Sequence, residues 1–178
     1  MTDKEKVILD ATCGSRMIWF DKYCEHALYM DNRQIYHKEI WKSKKNDRVR
    51  YLTVDPDVIA DFTKMPFEDD SFYLVVFDPP HLQQIGDTAW MAQKYGKLPD
   101  NDRWKPMLRD GFKECIRVLK PYGTLIFKWS EIQISTRDVI KAIGQEPLFG
   151  NRSGKQSKTH WMVFMKIPKE KIENEEKK

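Results

Sequence analysis

Four short apolar segments in the first half of the chain each run into an aspartate. The segments span residues 7–10, 27–30, 58–60 and 74–77, and the aspartates that end or follow them are Asp10, Asp31, Asp61 and Asp78. Apolar runs this short predict buried strands, and their alternation with helical stretches predicts an α/β fold with a mostly parallel sheet. Because ligands of open α/β sheets bind outside the carboxyl ends of the strands, the four carboxylates predict a binding edge that faces hydrogen-bond donors.

The second half of the chain continues the alternation. A helix is predicted from about residue 103 to residue 119, because apolar residues such as Leu108, Phe112 and Cys115 recur at helical spacing. The Lys-Pro-Tyr-Gly sequence at 120–123 ends that helix. The remaining predicted elements are a short helix or loop over 19–25, a strand over 124–129, a helix over 135–143, and two final strands over 146–149 and 161–166.

Length and composition set outer bounds on the protein. The 178 residues suit one domain, which we expect over 1–168, followed by a charged, disordered tail of mixed Lys and Glu over 169–178. Cys13, Cys24 and Cys115 form no Cys-x-x-Cys pair, so neither a metal site nor a disulfide framework is predicted. No apolar run is long enough to cross a bilayer and no signal-peptide pattern is present, so we expect a cytoplasmic protein.

The fourth apolar run ends in the sequence Phe-Asp-Pro-Pro-His at 77–81. Proline has no N–H and a fixed φ, so Pro79 and Pro80 cannot extend a strand ladder. The Asp78 carboxylate and the Pro79 carbonyl are therefore left as rigid acceptors. Two such acceptors can receive both hydrogens of a planar exocyclic amine and aim its nitrogen lone pair at a methyl donor.

Asp-Pro-Pro followed by an aromatic residue is the motif of the amino-methyltransferases, and this chain resembles it with His81 in the fourth place. The first strand and its loop are similar to the glycine loop of class I S-adenosylmethionine (SAM) methyltransferases, with Asp10 and Gly14 in place and Arg16 where the family has a second glycine. The stretches at 61–62, 65–72 and 119–123 also resemble that family, so the likeness spans about residues 7–166. It is also similar to small methyltransferases of phages and mobile elements that share the sequences CGSRM, DPPH, YGKLP, FKW and RSGKQSKTHW.

The resemblance implies a Rossmann-like fold with a mostly parallel seven-stranded sheet, five parallel strands followed by an antiparallel pair, flanked by helices. It implies SAM as methyl donor, S-adenosylhomocysteine as product, and no metal. Asp31 would bind the ribose hydroxyls, Asp61 the adenine amine and Phe62 the adenine ring. The implied cofactor-binding residues are Asp10, Thr12, Gly14, Asp31, Asp61, Phe62 and Asp78, and the implied catalytic residues are Asp78, Pro79, Pro80 and His81. His81 would stack on the target base or take up a proton, and stacking is favoured.

Three polar segments are candidates for the substrate side. The long connection over 81–102 carries Trp90, Lys94, Tyr95 and Lys97, which could stack on a base and bind phosphates, or could form a structural lid. The Gly-rich segment over 150–160 carries Arg152, Lys155 and Lys158, which suit phosphate contacts or an exposed hairpin loop. Residues 33–50 hold seven cationic residues against two acidic ones, with aromatic residues among them; they could follow a phosphate backbone or form a solvated helix face or loop. Trp129 either walls the pocket or belongs to the core.

These observations favour methylation of an exocyclic amino nitrogen of a nucleobase, adenine N6 or cytosine N4, in DNA or RNA. Nucleic acid is then the expected partner, and an oligomer or a partner subunit is compatible with the small size. A small-molecule or protein methyltransferase is an alternative, because the same fold hosts many substrates. A non-catalytic subunit that binds SAM or nucleic acid is another, since positions 16 and 81 depart from the family pattern.

Overall fold

The computed structural model describes residues 5–46, 48–152 and 158–168, and of Arg152 it describes only the backbone. The predicted tail over 169–178 and the middle of the Gly-rich segment lie outside the described residues. The strands are β1 (Ile8–Asp10), β2 (Ala27–Asp31), β3 (Ile35–Lys42), β4 (Val49–Val54), β5 (Val58–Ile59), β6 (Phe72–Phe77), β7 (Leu119–Ser130), β8 (Phe149–Arg152) and β9 (Thr159–Met165). The helices are α1 (Trp90–Tyr95), α2 (Trp104–Val118) and α3 (Thr136–Ile143), with a 3₁₀ turn at Asn101–Arg103.

Seven strands form the central sheet in the order β5-β2-β1-β6-β7-β9-β8. Neighbouring strands from β5 to β7 are parallel, and β9 is antiparallel to both β7 and β8. The prediction of five parallel strands and a final antiparallel pair is confirmed. Because β1 lies between β2 and β6, the chain reverses its direction of winding at β1, which is where open α/β sheets bind their ligands.

The main hydrophobic core lies between the sheet and helices α2 and α3. Leu108, Phe112 and Cys115 of α2 are buried there, as the helical spacing predicts. In β7 the alternate residues Leu125 and Phe127 are also fully buried in this core. All three cysteines are free thiols. None of the helices among the described residues is both long and apolar enough to span a membrane.

The connection from β2 to β5 differs from the prediction. The segment over 33–50, for which a phosphate-binding stretch and a solvated helix face or loop are the two alternatives, forms most of an antiparallel hairpin of β3 and β4 that stands apart from the central sheet. Ile40, Leu52 and Val54 are its buried residues, and Trp90 of α1 packs against them. The helix or loop alternative was wrong because two register irregularities in β3 break the period-2 pattern that marks a strand in sequence.

The 19–25 segment, for which a short helix or a loop is predicted, is a loop of turns and bends. One strand boundary differs. The penultimate strand, predicted over 146–149, instead runs from Phe149 to Arg152. A Cβ at Gly150 would lie 2.3 Å from the carbonyl oxygen of Trp161, so glycine here permits a close strand pairing, although its sequence pattern indicates a turn.

Candidate active site

Two adjoining cavities lie at the carboxyl ends of β1, β2 and β6. The larger, of about 250 Å³, is lined by residues that include Asp31, Phe62 and Pro80. The smaller, of about 80 Å³, is lined by residues that include Asp10 and Gly14. The walls of both contain Thr12, Arg33, Asp78 and Tyr95. The structure therefore brings together most of the residues that the sequence predicted for a cofactor site.

Asp10 is the most deeply buried carboxylate of this edge, with 1% of its surface exposed. The indole N–H of Trp19 donates to its Oδ2 at 2.6 Å, and the Thr12 N–H donates to its Oδ1 at 3.2 Å. Burial raises the pKa of Asp10 to about 7, although the two hydrogen bonds act to lower it. The nearby Asp78 and Asp31 carboxylates also raise it. A bound cation would favour the ionised form of this group.

The loop after β1 keeps left-handed backbone at two positions, Gly14 with φ 49° and Arg16 with φ 54°. Arg16 stands where the glycine pattern that this loop resembles has its second glycine, and a non-glycine residue at this φ is strained. The guanidinium donates to the carbonyl oxygens of Lys22 and Asp55, each at 2.7 Å, and lies 3.7 Å from the centroid of the Tyr29 ring. Arg16 thus fixes the loop by side-chain contacts.

Asp31 accepts hydrogen bonds at both carboxylate oxygens. The Gly14 N–H donates to Oδ2 at 3.0 Å, and Arg33 donates from its backbone N–H, Nε and Nη2 at 3.0, 2.9 and 3.2 Å. These four contacts use about all of the acceptor positions of a carboxylate. A ribose hydroxyl can therefore bind Asp31 only by displacing one donor, and the Arg33 side chain is the movable one because it is partly exposed.

Phe62 lines the larger cavity, whereas Asp61 is absent from its described wall and accepts from the Thr63 N–H and Oγ1 at 2.8 Å each. Gly111 of α2 makes room for Phe62. A Cβ at position 111 would lie 2.4 Å from Phe62 Cδ2, so any other residue would displace the ring. This role was missed in the sequence, where the available signal was a glycine inside a strong helical pattern.

Asp78 stands where the two cavities meet. Its backbone N–H donates to Thr12 Oγ1 at 2.9 Å, and the Lys128 ammonium donates to its Oδ2 at 2.5 Å. Both partners of this ion pair are largely shielded, with 19% and 20% of their side chains exposed. The role of Lys128 was also missed, although it follows from the pairing of β6 with β7, which places residue 128 one position beyond the Phe77–Phe127 pair.

The structure places His81 behind the cavity wall. The residue is 7% exposed, and burial lowers the pKa of its imidazole below the ordinary value, although the Asp78 carboxylate acts in the opposite direction. Its ring packs against Tyr95 at 5.7 Å and Trp129 at 6.4 Å. Tyr95, and not His81, lines both cavities. Pro79 is buried and Pro80 lines the larger cavity.

The predicted substrate residues are distributed over several places. Trp90 and Lys94 line an open groove beside the smaller cavity, while Lys97 lines the larger cavity and pairs with Asp87 at 3.3 Å. Trp129 is fully buried and its indole N–H donates to the Ile134 carbonyl, so it belongs to the core and does not wall the pocket. Lys158 is exposed just before β9. The Arg152 side chain and Lys155 lie outside the described residues.

No group of three or more histidine, cysteine or acidic residues within the described ranges is arranged to hold a metal ion. No protein-family model matches the chain, and no curated protein matches it. Among solved structures it resembles the PH0226 protein from Pyrococcus horikoshii OT3, with a TM-score of 0.53 and 16% identity over 92% of this chain and 83% of that chain.

Two weaker likenesses are to proteins linked to methylation by their descriptions. The first is HI0767 from Haemophilus influenzae, inferred to be a methylase, with a TM-score of 0.42 and 11% identity over 94% of this chain and 90% of that chain. The second is a Haloferax volcanii complex of the Trm112 methyltransferase activator with an inferred methyltransferase, with a TM-score of 0.48 and 14% identity over 95% and 86%. At 16% identity the likeness to PH0226 bears on the fold alone, a Rossmann-like fold with a mostly parallel seven-stranded sheet.

Proposed function

We propose that this protein is a SAM-dependent methyltransferase that modifies an exocyclic amino nitrogen of a nucleobase, adenine N6 or cytosine N4, in DNA or RNA. The observation that carries the proposal is the position of Asp78. The Asp-Pro-Pro acceptor lies between a cavity whose wall contains Phe62 and Asp31 and a smaller cavity whose wall contains the Asp10 carboxylate. Such a residue is placed to contact both a methyl donor and the amine that receives the methyl group.

The residues present fit SAM. In the larger cavity Phe62 offers a ring for adenine, and Asp31 offers acceptors for the ribose once Arg33 moves aside. Asp61, adjacent to Phe62 in the chain, would receive the adenine amine. In the smaller cavity Asp10 and the loop of Thr12 and Gly14 would hold the positively charged methionine portion. SAM, when bound, supplies an activated methyl group, and the task of the protein is to position the acceptor and exclude water.

Asp78 performs the positioning. Lys128 holds Oδ2, which leaves Oδ1 to accept one N–H of the target amine while the Pro79 carbonyl accepts the other. The charge-assisted hydrogen bond from Lys128 also fixes the orientation of the Asp78 carboxylate. Accepting both hydrogens draws the nitrogen lone pair out of conjugation with the base ring. Because the product amine loses its proton after attack, a strong general base is not required.

The aromatic contact to the base is assigned to Tyr95, with His81 packed behind it. His81 is buried and Tyr95 lines both cavities, so the imidazole orients the phenol ring from the side away from the substrate. Pro80 contributes a rigid wall of the larger cavity. In a duplex the target nucleotide would have to be flipped out to reach this site.

The test is methyl transfer from radiolabelled SAM to separate pools of DNA, rRNA, tRNA and metabolite extract, followed by nucleoside mass spectrometry. Label recovered as N6-methyladenine or N4-methylcytosine supports the proposal and names the substrate. Label confined to metabolites or to protein supports the alternative methyltransferase classes. If SAM binds by calorimetry and no pool is labelled, the enzymatic proposal is wrong for the isolated chain.

The Asp78→Ala variant tests the assigned residue. We expect a loss of turnover of about 100-fold or more, because a preorganised polar contact to the reacting group is removed. SAM binding should stay within a few-fold of the wild type. The matched control is Asp102→Ala, since Asp102 lies at the end of the same connection with 83% of its side chain exposed and pairs with Lys105. Retained turnover in Asp78→Ala would remove Asp78 from the mechanism.

A further inference from the structure

An open groove of about 720 Å³ runs beside the active site, between the β3–β4 hairpin, the 14–23 segment and α1. Its wall shares Gly14, Ser15, Met17 and Lys94 with the smaller cavity. The groove and the Asp78 site are therefore continuous. A chain molecule lying in the groove would have one of its units within reach of Asp78.

The groove is rich in positive charge. Lys22, Arg50 and Lys94 line it, and within the described part of the chain none of the three forms an ion pair with a carboxylate. Arg16 also lines it, and its shortest contacts are to neutral carbonyl oxygens. Asp55 is the acidic residue in the described wall. This excess of cationic over acidic side chains favours an anionic ligand that contacts the groove at several positions.

Aromatic side chains stand between these cations. Tyr23 is 84% exposed and Tyr51 is 51% exposed, and Trp90 lines the groove beside them. One face of the Tyr51 ring is stacked on His37, with centroids 4.1 Å apart and planes 10° apart, which holds the ring in a fixed orientation. Exposed rings interleaved with cations are the arrangement that proteins use for single-stranded nucleic acids, because every unpaired base offers a flat face for stacking.

The groove is a built feature of the fold. The Arg50 guanidinium lies over the Trp41 ring at 5.2 Å and over the Trp90 ring at 4.7 Å, and so joins the hairpin to α1. Beneath it, Ile40 and Leu52 are buried and Trp90 packs against their cluster. A solvated basic surface would need neither contact. A duplex would satisfy the cations but would leave the rings unused, because its bases are stacked on one another.

We propose that this groove binds a single-stranded segment of nucleic acid, with phosphates at Lys22, Arg50 and Lys94 and bases on Tyr23 and Tyr51. The strand then presents a neighbouring nucleotide to Asp78. The presentation rests on the proposed function, whereas the binding does not. DNA and RNA share this chemistry, and the 2′-hydroxyl is what separates them.

Fluorescence anisotropy with labelled single strands of about 20 nucleotides, as DNA and as RNA, and with the matching duplexes, measures the binding. We expect the single strands to bind more tightly than the duplexes. Replacing both Lys22 and Lys94 by alanine should reduce the slope of log K against log salt by roughly 1.4, the value for two lost phosphate contacts on a single strand. The Lys113→Ala, Lys141→Ala double variant loses the same charge elsewhere, from exposed positions on α2 and α3, and should leave the slope unchanged.

Tyr51→Ala should weaken single-strand binding by about 5- to 150-fold, the range for one lost base stack, whereas Tyr51→Phe should bind as the wild type does. Tyr73→Ala is the matched control, since Tyr73 is a strand tyrosine with 57% exposure on β6. The groove is not the binding site if both lysine double variants lower the salt slope equally. The same holds if Tyr51→Ala and Tyr73→Ala weaken binding equally. Binding without methyl transfer would leave the groove standing and contradict the proposed function. Methyl transfer to nucleic acid that is unchanged in the groove variants would support the proposed function and contradict the groove.

Discussion

The α2–α3 side of the sheet and the hairpin region are built with very different amounts of packing. The first buries a continuous core that includes Phe62, Phe77 and Phe127 and also supports the walls of the larger cavity. Among the described residues, the second rests on Ile40, Leu52 and Val54 alone, with partly buried side chains against them. We infer a division of labour: the proposed cofactor site and Asp78 lie on a well-packed scaffold, while one side of the groove is formed by a lightly packed element.

The largest effect that would separate the two regions is on global stability. Leu108→Ala removes a fully buried side chain from the main core and should lower the free energy of unfolding by about 3 kcal/mol. Leu52→Ala removes a side chain that is 2% exposed from the hairpin cluster and should lower it by less than about 1 kcal/mol, since the hairpin can open on its own. Urea denaturation measures both values.

Hydrogen exchange supplies the second readout of the same pair. In Leu52→Ala the backbone amides of β3 and β4 should lose protection while those of β6 and β7 keep it. In Leu108→Ala protection should fall throughout the sheet. If Leu52→Ala costs as much as Leu108→Ala and protection falls everywhere, the hairpin belongs to the same cooperative unit as the main core, and the division of labour is wrong.

A smaller effect concerns the loop between the two regions. Arg16→Ala removes two hydrogen bonds from a guanidinium that is 14% exposed and should cost about 2 kcal/mol. Arg16→Gly loses the same contacts but also relieves the left-handed backbone at φ 54°. Relief of about 1–2 kcal/mol outweighs the added entropy of the unfolded glycine chain, so the glycine variant should be the more stable of the two by about 0.5–1 kcal/mol. Thermal denaturation of the pair decides it, and an alanine variant at least as stable as the glycine variant would show that the loop is unstrained.

The parallel half of the fold could be predicted from sequence because its signals are local. Four of its strands, β1, β2, β5 and β6, come from short apolar runs that end in an aspartate or are followed by one. Asp10, Asp31 and Asp78 among these aspartates lie at one edge of the sheet. The hairpin could not, because its few apolar positions, among them Ile40 and Leu52, are separated by charged residues and by bulges. When the alternation of apolar and polar residues is interrupted twice, the sequence no longer shows the pattern that predicts a strand.

The sequence could indicate which carboxylates lie at the candidate site, but not which side chains donate hydrogen bonds to them. Asp78 could be named because Asp-Pro-Pro has a specific chemical meaning, whereas Lys128 becomes its partner only through the neighbouring strand. Tyr95, which the sequence already offered as a residue that could stack on a base, lines both cavities, whereas His81 packs behind it. Which of the two rings reaches the wall depends on how the long connection folds back over the site. Trp129 could have been assigned to the core from the sequence, since it continues the buried alternation of Leu125 and Phe127 in β7.

The smallest expected effect is the pH dependence of cofactor binding at Asp10. Its pKa is about 7 in the folded protein against 3.8 ordinarily, so between about pH 4 and pH 7 the folded state keeps a proton that the unfolded chain has lost. The contribution of Asp10 to stability therefore falls as the pH rises through that window. A cationic ligand reverses the preference, because it favours the ionised carboxylate.

SAM affinity should then rise by about tenfold from pH 6 to pH 8, as a group with a pKa near 7 passes from about one-tenth to about nine-tenths ionised. Calorimetry at pH 7 in buffers of different ionisation enthalpy should show proton release on SAM binding, and less release with S-adenosylhomocysteine, which lacks the sulfonium charge. Asp10→Asn should flatten the profile, because its side chain cannot ionise. A flat profile in the wild type would mean that the cation lies away from Asp10, and would move the methionine portion out of the smaller cavity while leaving the nucleoside cavity on the rigid side of the sheet.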